Sequence, residues 1–173
     1  MSFGDAIRTC LGKYATFSGR AARPEYWWFF LFVILVSIVL SFVDRLIFGV
    51  DPVSEQPRSV LGGVWALAMF LPMLGAGWRR MHDTGRPGWY LLIPLAVSLV
   101  GSLLLGFGTF GVGALESMGT APTGSTMAAA GAGLAVLAAI SVVQIVVAIL
   151  IIWWLSRPGE PGPNAWGPPP AKG

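Results

Sequence analysis

Four long apolar runs constrain this chain more than any other feature of its sequence. They cover residues 26–43, 60–78, 89 to about 108, and 132–155. At about 1.5 Å per residue, each run is long enough to cross the roughly 30 Å hydrocarbon core of a bilayer as a helix. Because 55% of the 173 residues are hydrophobic and only 11% are charged, a soluble domain could not bury this apolar surface. The sequence therefore predicts an all-α integral membrane protein with four transmembrane helices.

Lysine and arginine residues lie mostly on one side of the predicted membrane. Nine of the eleven belong to the N-terminal segment, the connection between the second and third runs, and the C-terminal segment. By the positive-inside rule, both termini and the loop of residues 79–88 are expected in the cytoplasm. Because these residues lie at membrane edges, the net charge of +3 does not indicate nucleic-acid binding.

The N-terminal segment, residues 1–25, has a pattern of its own. Apolar side chains recur at helical spacing over residues 3–17, with charged side chains on the opposite face. Ser2 and Asp5 have the spacing of a capping box. We predict an amphipathic helix over residues 2 to about 16 and no cleaved signal peptide. Two positions stay open for this helix, in the cytoplasmic membrane interface or packed over the cytoplasmic ends of the bundle.

The densest polar cluster lies between the second and third runs. Residues 79–89 read Arg-Arg-Met-His-Asp-Thr-Gly-Arg-Pro-Gly-Trp, which predicts a tight cytoplasmic hairpin loop with Pro87 in the first turn of the next helix. A related order of residues, with two arginines, a proline and tryptophans, opens the first span over residues 19–28. Together the two segments provide these candidate ligand-binding residues: Arg20, Arg23, Glu25, Arg79, Arg80, His82, Asp83 and Arg86.

Three segments of the sequence resemble a known family. They are residues 17–27, residues 79–89, and the Asn-Ala-Trp-Gly-Pro of residues 164–168. In this order they resemble the bacterial inner-membrane family called domain of unknown function 805, and Arg-Arg-Met-His-Asp-Thr-Gly is the most specific element. The resemblance implies a small multi-pass protein of the bacterial cytoplasmic membrane. The family has no established biochemical activity, so the resemblance implies neither a catalytic residue nor a cofactor.

His82 beside Asp83 raises the question of general-base catalysis, since a carboxylate can orient an imidazole. Adjacent residues rarely provide that geometry themselves. The alternative is structural: Asp83 caps the turn and pairs with Arg79, Arg80 or Arg20, while His82 bonds a backbone carbonyl. One histidine and one cysteine fall short of the three or four ligands of a metal site. We predict a non-enzymatic protein without a metal or cofactor.

The excess of arginines on one membrane face gives the sharper functional hypothesis. Guanidinium groups match phosphate oxygens in a bidentate manner, and each basic residue near an anionic leaflet contributes about 1 kcal/mol of attraction. We expect this face to bind a phosphorylated lipid headgroup, another anionic ligand or a protein partner. The alternative is that the same arginines only keep the loop in the cytoplasm.

Transport is the second function that the sequence leaves open. No Asp, Glu, Lys, Arg or His lies deep in a predicted span, so no proton relay or ion-pair pathway is indicated. Pro72 and Pro94 can free backbone carbonyls in the second and third spans, although proline is also common there for packing. A transporter or channel component is therefore the alternative to a binding protein.

Tryptophans and small residues indicate how the spans are anchored and packed. Gln144, near the centre of the fourth span, is expected to form a hydrogen bond to a neighbouring helix. Small residues recur along the same span at a spacing that allows another helix to approach closely, either another span of this chain, a second copy of it or a membrane protein partner. These helix-packing residues are Gly131, Ala135, Ala139 and Gln144. The predicted interface anchors are Trp27, Trp28, Trp89, Trp153 and Trp154. Residues 157–173 contain six prolines and four glycines, which predicts an extended or disordered cytoplasmic tail.

Overall fold

The regular secondary structure of the described residues is entirely helical. The computed structural model describes the backbone of residues 1–50, 57–119 and 125–170, and their side chains except those of residues 109, 112–116 and 125–130. Within these described ranges, four helices are long and apolar enough to cross a membrane, which confirms the predicted number of spans. The helices are α1 (Phe3–Gly12), α2 (Arg23–Phe48), α3 (Val60–Asp83), a 3-10 helix (Gly88–Leu92), α4 (Ile93–Ser117) and α5 (Ser125–Ser156).

The chain divides into two compact units, which we describe separately. The first unit contains residues 1–88 and the chain from Trp154 onward, and the second contains Trp89–Trp153. The first unit therefore holds α1, α2, α3 and the C-terminal segment. The second unit holds α4 and most of α5.

Helix α2 extends beyond the predicted first span at both ends. Pro24 lies in its first turn, where the missing N–H costs no intrahelical hydrogen bond. Glu25 lies in the same turn, where a carboxylate suits the positive end of the helix dipole. The helix ends at Phe48, and Gly49 follows with a φ of 64°, a conformation that glycine adopts without steric cost.

Helix α3 begins against the end of α2. The carboxylate of Asp44 accepts hydrogen bonds from Leu61 N at 2.9 Å and from Gly62 N at 2.8 Å. These are two of the N–H groups that a helix leaves unpaired at its N-terminus. A carboxylate of α2 therefore caps α3, and this explains how Asp44 can be buried.

The other end of α3 differs from the sequence prediction. The sequence predicts a hairpin loop from residue 79, but the helix continues through Asp83. The chain leaves the helix at Gly85, with a φ of 74°, while Arg86 N bonds Met81 O at 3.0 Å. The loop prediction was wrong for residues 79–83, because their polar side chains find buried partners and polarity therefore does not mark the end of the helix, whereas residues 84–87 do form a turn.

Helix α1 packs against α2 and α3. Ser2 and Asp5 form a capping box at its start, with both reciprocal hydrogen bonds present. The helix ends at Gly12, short of the predicted end near residue 16. Cys10 is buried against α2, and burial raises the pKa of its thiol to about 12. Ala6 and Cys10 of α1 are buried, whereas Phe3 and Leu11 are partly exposed, and the position of this helix relative to the membrane stays a prediction.

In the second unit, α4 continues through the glycine-rich stretch to Ser117, beyond the predicted end near residue 108. A continuous helix pairs every backbone group internally, which a bilayer requires whatever the local glycine content. Gln144 Nε2 donates to Pro94 O at 2.9 Å, so its hydrogen bond reaches α4. A Cβ at Gly101 would lie 2.5 Å from Ile140 Cδ1, which marks the close approach of the two helices.

The predicted stripe of small residues on α5 is exposed. Gly131, Ala135 and Ala139 are exposed in this single chain, although Ala139 borders a shallow groove beside Gly101. Packing of the stripe against another subunit stays a prediction.

Candidate functional site

Three arginines are buried at the polar end of the first unit. Arg20 precedes α2, while Arg79 and Arg80 lie near the end of α3. Their exposed fractions are 7%, 1% and 0%. Because an unpaired charge away from water is costly, such arginines need partners within the protein. We call the following six residues the arginine cluster: Arg20, Glu25, Arg79, Arg80, His82 and Asp83.

Asp83 links two arginines of the cluster. Its Oδ1 accepts from Arg20 Nε at 3.0 Å and lies 2.9 Å from Arg20 Nη2, while its Oδ2 accepts from Arg80 Nη1. Hydrogen bonds between charged groups are about twice as strong as neutral ones. The structural interpretation of Asp83 as an arginine partner agrees with this geometry, although its carboxylate bonds to the arginines and not to the turn.

Arg79 fastens the N-terminal segment to α3. Its Nη2 donates to Glu25 Oε1 at 3.2 Å, and its Nη1 donates to Thr16 O at 2.5 Å and to Lys13 O at 3.4 Å. The carbonyl oxygen of Arg79 accepts from Ala21 N at 3.0 Å. One residue therefore holds the connection between α1 and α2 in place.

The C-terminal tail, residues 157–170, closes over Arg20. The Arg20 guanidinium donates to three backbone carbonyl oxygens of the tail, those of Glu160 at 2.5 Å, Gly162 at 2.7 Å and Gly167 at 3.4 Å. In the opposite direction, Glu160 N donates to Asp83 O at 2.9 Å. Arg20 thus joins the N-terminal segment, the end of α3 and the tail.

Arg80 binds the start of the same tail. Its Nε donates to Leu155 O at 2.9 Å and its Nη2 donates to Arg157 O. A Cβ at Gly159 would lie 2.1 Å from Asp83 Oδ2, so this close approach requires glycine. Residues 157–170 have no helix or strand, but they are held against the cluster, because the two guanidiniums supply hydrogen-bond partners that the proline- and glycine-rich segment lacks within itself.

His82 lies at the edge of the arginine cluster under the tail. Its Nδ1 lies 3.1 Å from Gly19 O, and its ring stacks on Trp166 with 4.6 Å between ring centres and 10° between planes. Asn164 Nδ2 donates to His82 O at 2.9 Å. His82 bonds a backbone carbonyl, as the structural interpretation of the sequence expects.

Two of the predicted ligand-binding residues lie outside the cluster. Arg86 Nη1 donates to Thr84 O at 2.8 Å, and its guanidinium carbon lies 5.3 Å from the centre of the Trp154 ring. Arg23 is exposed, and in the part of the chain that the structure describes it has no hydrogen bond or ion pair. It borders a groove of about 400 Å³ whose other lining residues are Pro24, Trp27, Trp28 and Leu31.

The predicted tryptophan anchors differ in exposure. Trp28, Trp89 and Trp153 expose 41%, 54% and 52% of their surface, whereas Trp27 and Trp154 are half-buried. Exposed indoles suit the headgroup level of a bilayer. Trp27 and Trp28 line the same groove as the exposed Arg23.

The cluster geometry favours cohesion over catalysis. The Asp83 carboxylate is bonded by two guanidiniums, and the His82 ring has one nitrogen on a carbonyl and one face against an indole. Both side chains are buried in this structure. Among the described residues, no three His, Cys, Asp or Glu side chains come close enough to hold a metal ion.

Sequence reasoning missed the tail as part of the site. Glu160 and Trp166 contribute to it. Several backbone carbonyls also contribute, and the sequence cannot identify them because every residue carries one. The sequence does contain one signal that the tail belongs to the site. The motif of residues 164–168 is part of the family resemblance, even though the composition of the tail suggests disorder.

The fold and the sequence together define a multi-pass protein of the bacterial inner membrane. A model of the family described as "Protein of unknown function (DUF805)" matches residues 14–168, a stretch that includes the whole arginine cluster and most of the tail. This chain belongs to that family.

Two Escherichia coli K12 proteins illustrate the relationship. Inner membrane protein YhaI is 41% identical over 115 residues, which are 65% of this chain and 90% of that protein. Inner membrane protein YhaH is 34% identical over 95 residues, which are 55% of this chain and 75% of that protein. No solved structure matches this chain.

Proposed function

We propose that this protein is a non-enzymatic, membrane-organising protein that binds anionic phospholipid headgroups at its cytoplasmic face. The proposal places both termini in the cytoplasm, because nine of eleven basic residues then face that side. Anionic lipids of this leaflet attract basic residues that lie at the membrane edge.

The observation that carries the proposal is the environment of Arg23. This arginine is exposed at the first turn of α2, beside the groove that it forms with Trp27 and Trp28. A guanidinium matches the phosphate of a headgroup, while indoles prefer the depth at which headgroup and acyl chain meet. The groove therefore offers both parts of a phospholipid a suitable partner.

The bonds within the arginine cluster limit which arginines can contact a lipid headgroup. Arg20, Arg79 and Arg80 direct their donors at carboxylates and backbone carbonyls of this chain. In this structure they hold the N-terminal segment, α3 and the tail together. Of the candidate arginines, Arg23 is the one left exposed, and we assign the headgroup contact to it.

Helix α1 extends the same surface. Its exposed side carries Arg8 and Lys13 together with partly exposed Phe3 and Leu11. Basic and apolar side chains in this combination favour contact with an anionic membrane surface. The proposal therefore joins packing of α1 on the bundle with a position at the interface.

Transport has less support. Asp44 bonds the first amides of α3, and Gln144 bonds the Pro94 carbonyl of α4. Polar side chains that are satisfied by a neighbouring helix serve packing more often than substrate binding.

Native mass spectrometry of the protein in bilayers of phosphatidylglycerol and phosphatidylethanolamine tests the headgroup contact. We expect Arg23→Ala to lose most of the phosphatidylglycerol that the wild type retains. Arg45→Ala is the matched control, because it removes an exposed arginine from the last turn of the same helix. Equal retention in all three proteins, or equal losses in both variants, would contradict a specific site at Arg23.

A further inference from the structure

The C-terminal tail covers a second group of phosphate-matching donors. We propose that Arg20 and Arg80, with His82 at the edge, form a binding site for a phosphate-bearing anion, and that the tail fills this site in the present structure with its own carbonyl oxygens. This site is separate from the headgroup contact proposed for Arg23 and does not depend on it.

The hydrogen bonds of the two guanidiniums define the site. Besides Asp83, Arg20 donates to three backbone carbonyl oxygens and Arg80 donates to those of Leu155 and Arg157. Several oxygens that converge on neighbouring guanidiniums form the arrangement that the oxygens of a phosphate group also provide. The tail carbonyls therefore stand where an oxyanion would be bound.

The charges of the site favour an anion over the tail. Arg20 and Arg80 share the single carboxylate of Asp83, and both side chains are almost completely buried. Carbonyl oxygens are neutral, so they satisfy the donors without balancing the second positive charge. A phosphate group would do both, since charge-assisted bonds are stronger than bonds to neutral acceptors.

The tail is attached in a way that permits release. It has no helix or strand, and its own fold is a short turn in which Asn164 and Gly167 exchange backbone hydrogen bonds. Two side chains of this turn contact His82: Asn164 donates a hydrogen bond to its carbonyl oxygen, and Trp166 stacks on its ring. Five of its prolines are exposed, namely Pro158, Pro161, Pro163, Pro168 and Pro169.

Release of the tail would leave few groups without partners. The carbonyl oxygens of His82 and Asp83, which the tail bonds in this structure, lie at the end of α3, where water can replace it. The Arg20 guanidinium would lose its three neutral acceptors and become available to the anion, beside Arg80, which would keep its bonds to Leu155 O and Arg157 O.

Titration calorimetry of the purified full-length chain and of a chain ending at Pro158 tests the proposal, because the shortened chain loses the three carbonyls bonded to Arg20 and keeps Arg157 O as a peptide carbonyl. Inorganic phosphate and short-chain phosphatidylglycerol are the two probes, in a zwitterionic detergent. We expect the shortened chain to bind at least one probe about tenfold more tightly, since a site that is mostly closed reduces apparent affinity by its open fraction. Phosphatidylglycerol alone would indicate a lipid source, and inorganic phosphate would indicate a soluble anion.

Substitutions in the shortened chain identify the residues responsible. Arg20→Gln should abolish the gain, whereas Arg45→Gln, at the other end of α2, should keep it. If the shortened chain does not fold, the full-length Asn164→Ala, Trp166→Ala double variant weakens the tail and serves the same comparison.

No gain on releasing the tail would overturn the proposal, and so would a gain that survives Arg20→Gln. All these chains retain Arg23, so their failure would leave the proposed headgroup contact standing. Conversely, loss of lipid retention in Arg23→Ala does not predict the effect of the tail.

Discussion

Among the described residues, the buried charged side chains of this protein lie in the first unit, and none lies in the second. In the first unit, Arg79 and Arg80 are among the largest fully buried side chains. In the second unit, large apolar side chains such as Leu95 and Phe107 expose 65% and 75% of their surface. A bilayer explains the difference, because lipid covers apolar surface while polar groups at the membrane edge must find partners in the protein.

This contrast shows where specific contacts are concentrated. The first unit is joined by side chains that reach between distant segments, as Arg20 does to residues 160–167. In the described part of the second unit, hydrogen bonds are mainly those within helices, and Gln144 adds a bond from one helix to another. The first unit should therefore respond more strongly to single polar substitutions than the second.

The largest effect is expected from Asp83→Ala. Two buried guanidiniums would lose their shared carboxylate, and removal of one partner from a buried ion pair costs about 3–5 kcal/mol. Thermal unfolding in detergent, together with protease sensitivity of the tail, measures the loss. Asp5→Ala, which removes an exposed acid from the same unit, should cost much less. Similar losses in the two variants would remove the contrast between buried and exposed charge.

Gly88→Ala should have an intermediate effect. A Cβ at this position would lie 2.2 Å from three ring atoms of Trp78, so the chain after α3 would have to move. Overpacking of this kind costs about 1–3 kcal/mol. Gly63→Ala is the matched control, because a Cβ there meets nothing within 4 Å and alanine suits a helix better. Unchanged stability of Gly88→Ala in thermal unfolding would contradict the close packing of this turn.

Gln144→Leu should have the smallest effect. It removes the hydrogen bonds to Pro94 O and to Ser98 Oγ from the second unit, and such bonds in membrane helices contribute about 0.6 kcal/mol each on average. Ser141→Ala is the control, because its hydroxyl bonds Leu137 O of its own helix. A loss from Gln144→Leu as large as that from Asp83→Ala would show that the second unit also depends on specific polar contacts.

Much of the fold follows from the sequence alone. Apolar runs of this length give four membrane-spanning helices, because each backbone in lipid must pair its own polar groups. The capping box of Ser2 and Asp5 is also local, since both partners lie within one turn. The family could also be identified from the sequence, because each of its motifs is a short contiguous segment.

The sequence predicted which polar residues belong to the candidate site, but not how they pair. The sequence selects Arg20, Arg80 and Asp83 as a polar group but does not say that one carboxylate serves two arginines. It also treats residues 79–83 as a loop and residues 157–170 as disordered, because local composition does not reveal a partner that lies far away in the chain.

The sequence by itself determined the membrane class, the number of spans and the family of this protein, since these depend on apolar length and contiguous motifs. Only the tertiary structure decided which arginines are buried, which one is exposed beside Trp27 and Trp28, and that the tail closes over Arg20. The physical reason is that burial of a charge depends on acceptors brought together from distant segments, and many of these acceptors are backbone carbonyls that every residue type carries.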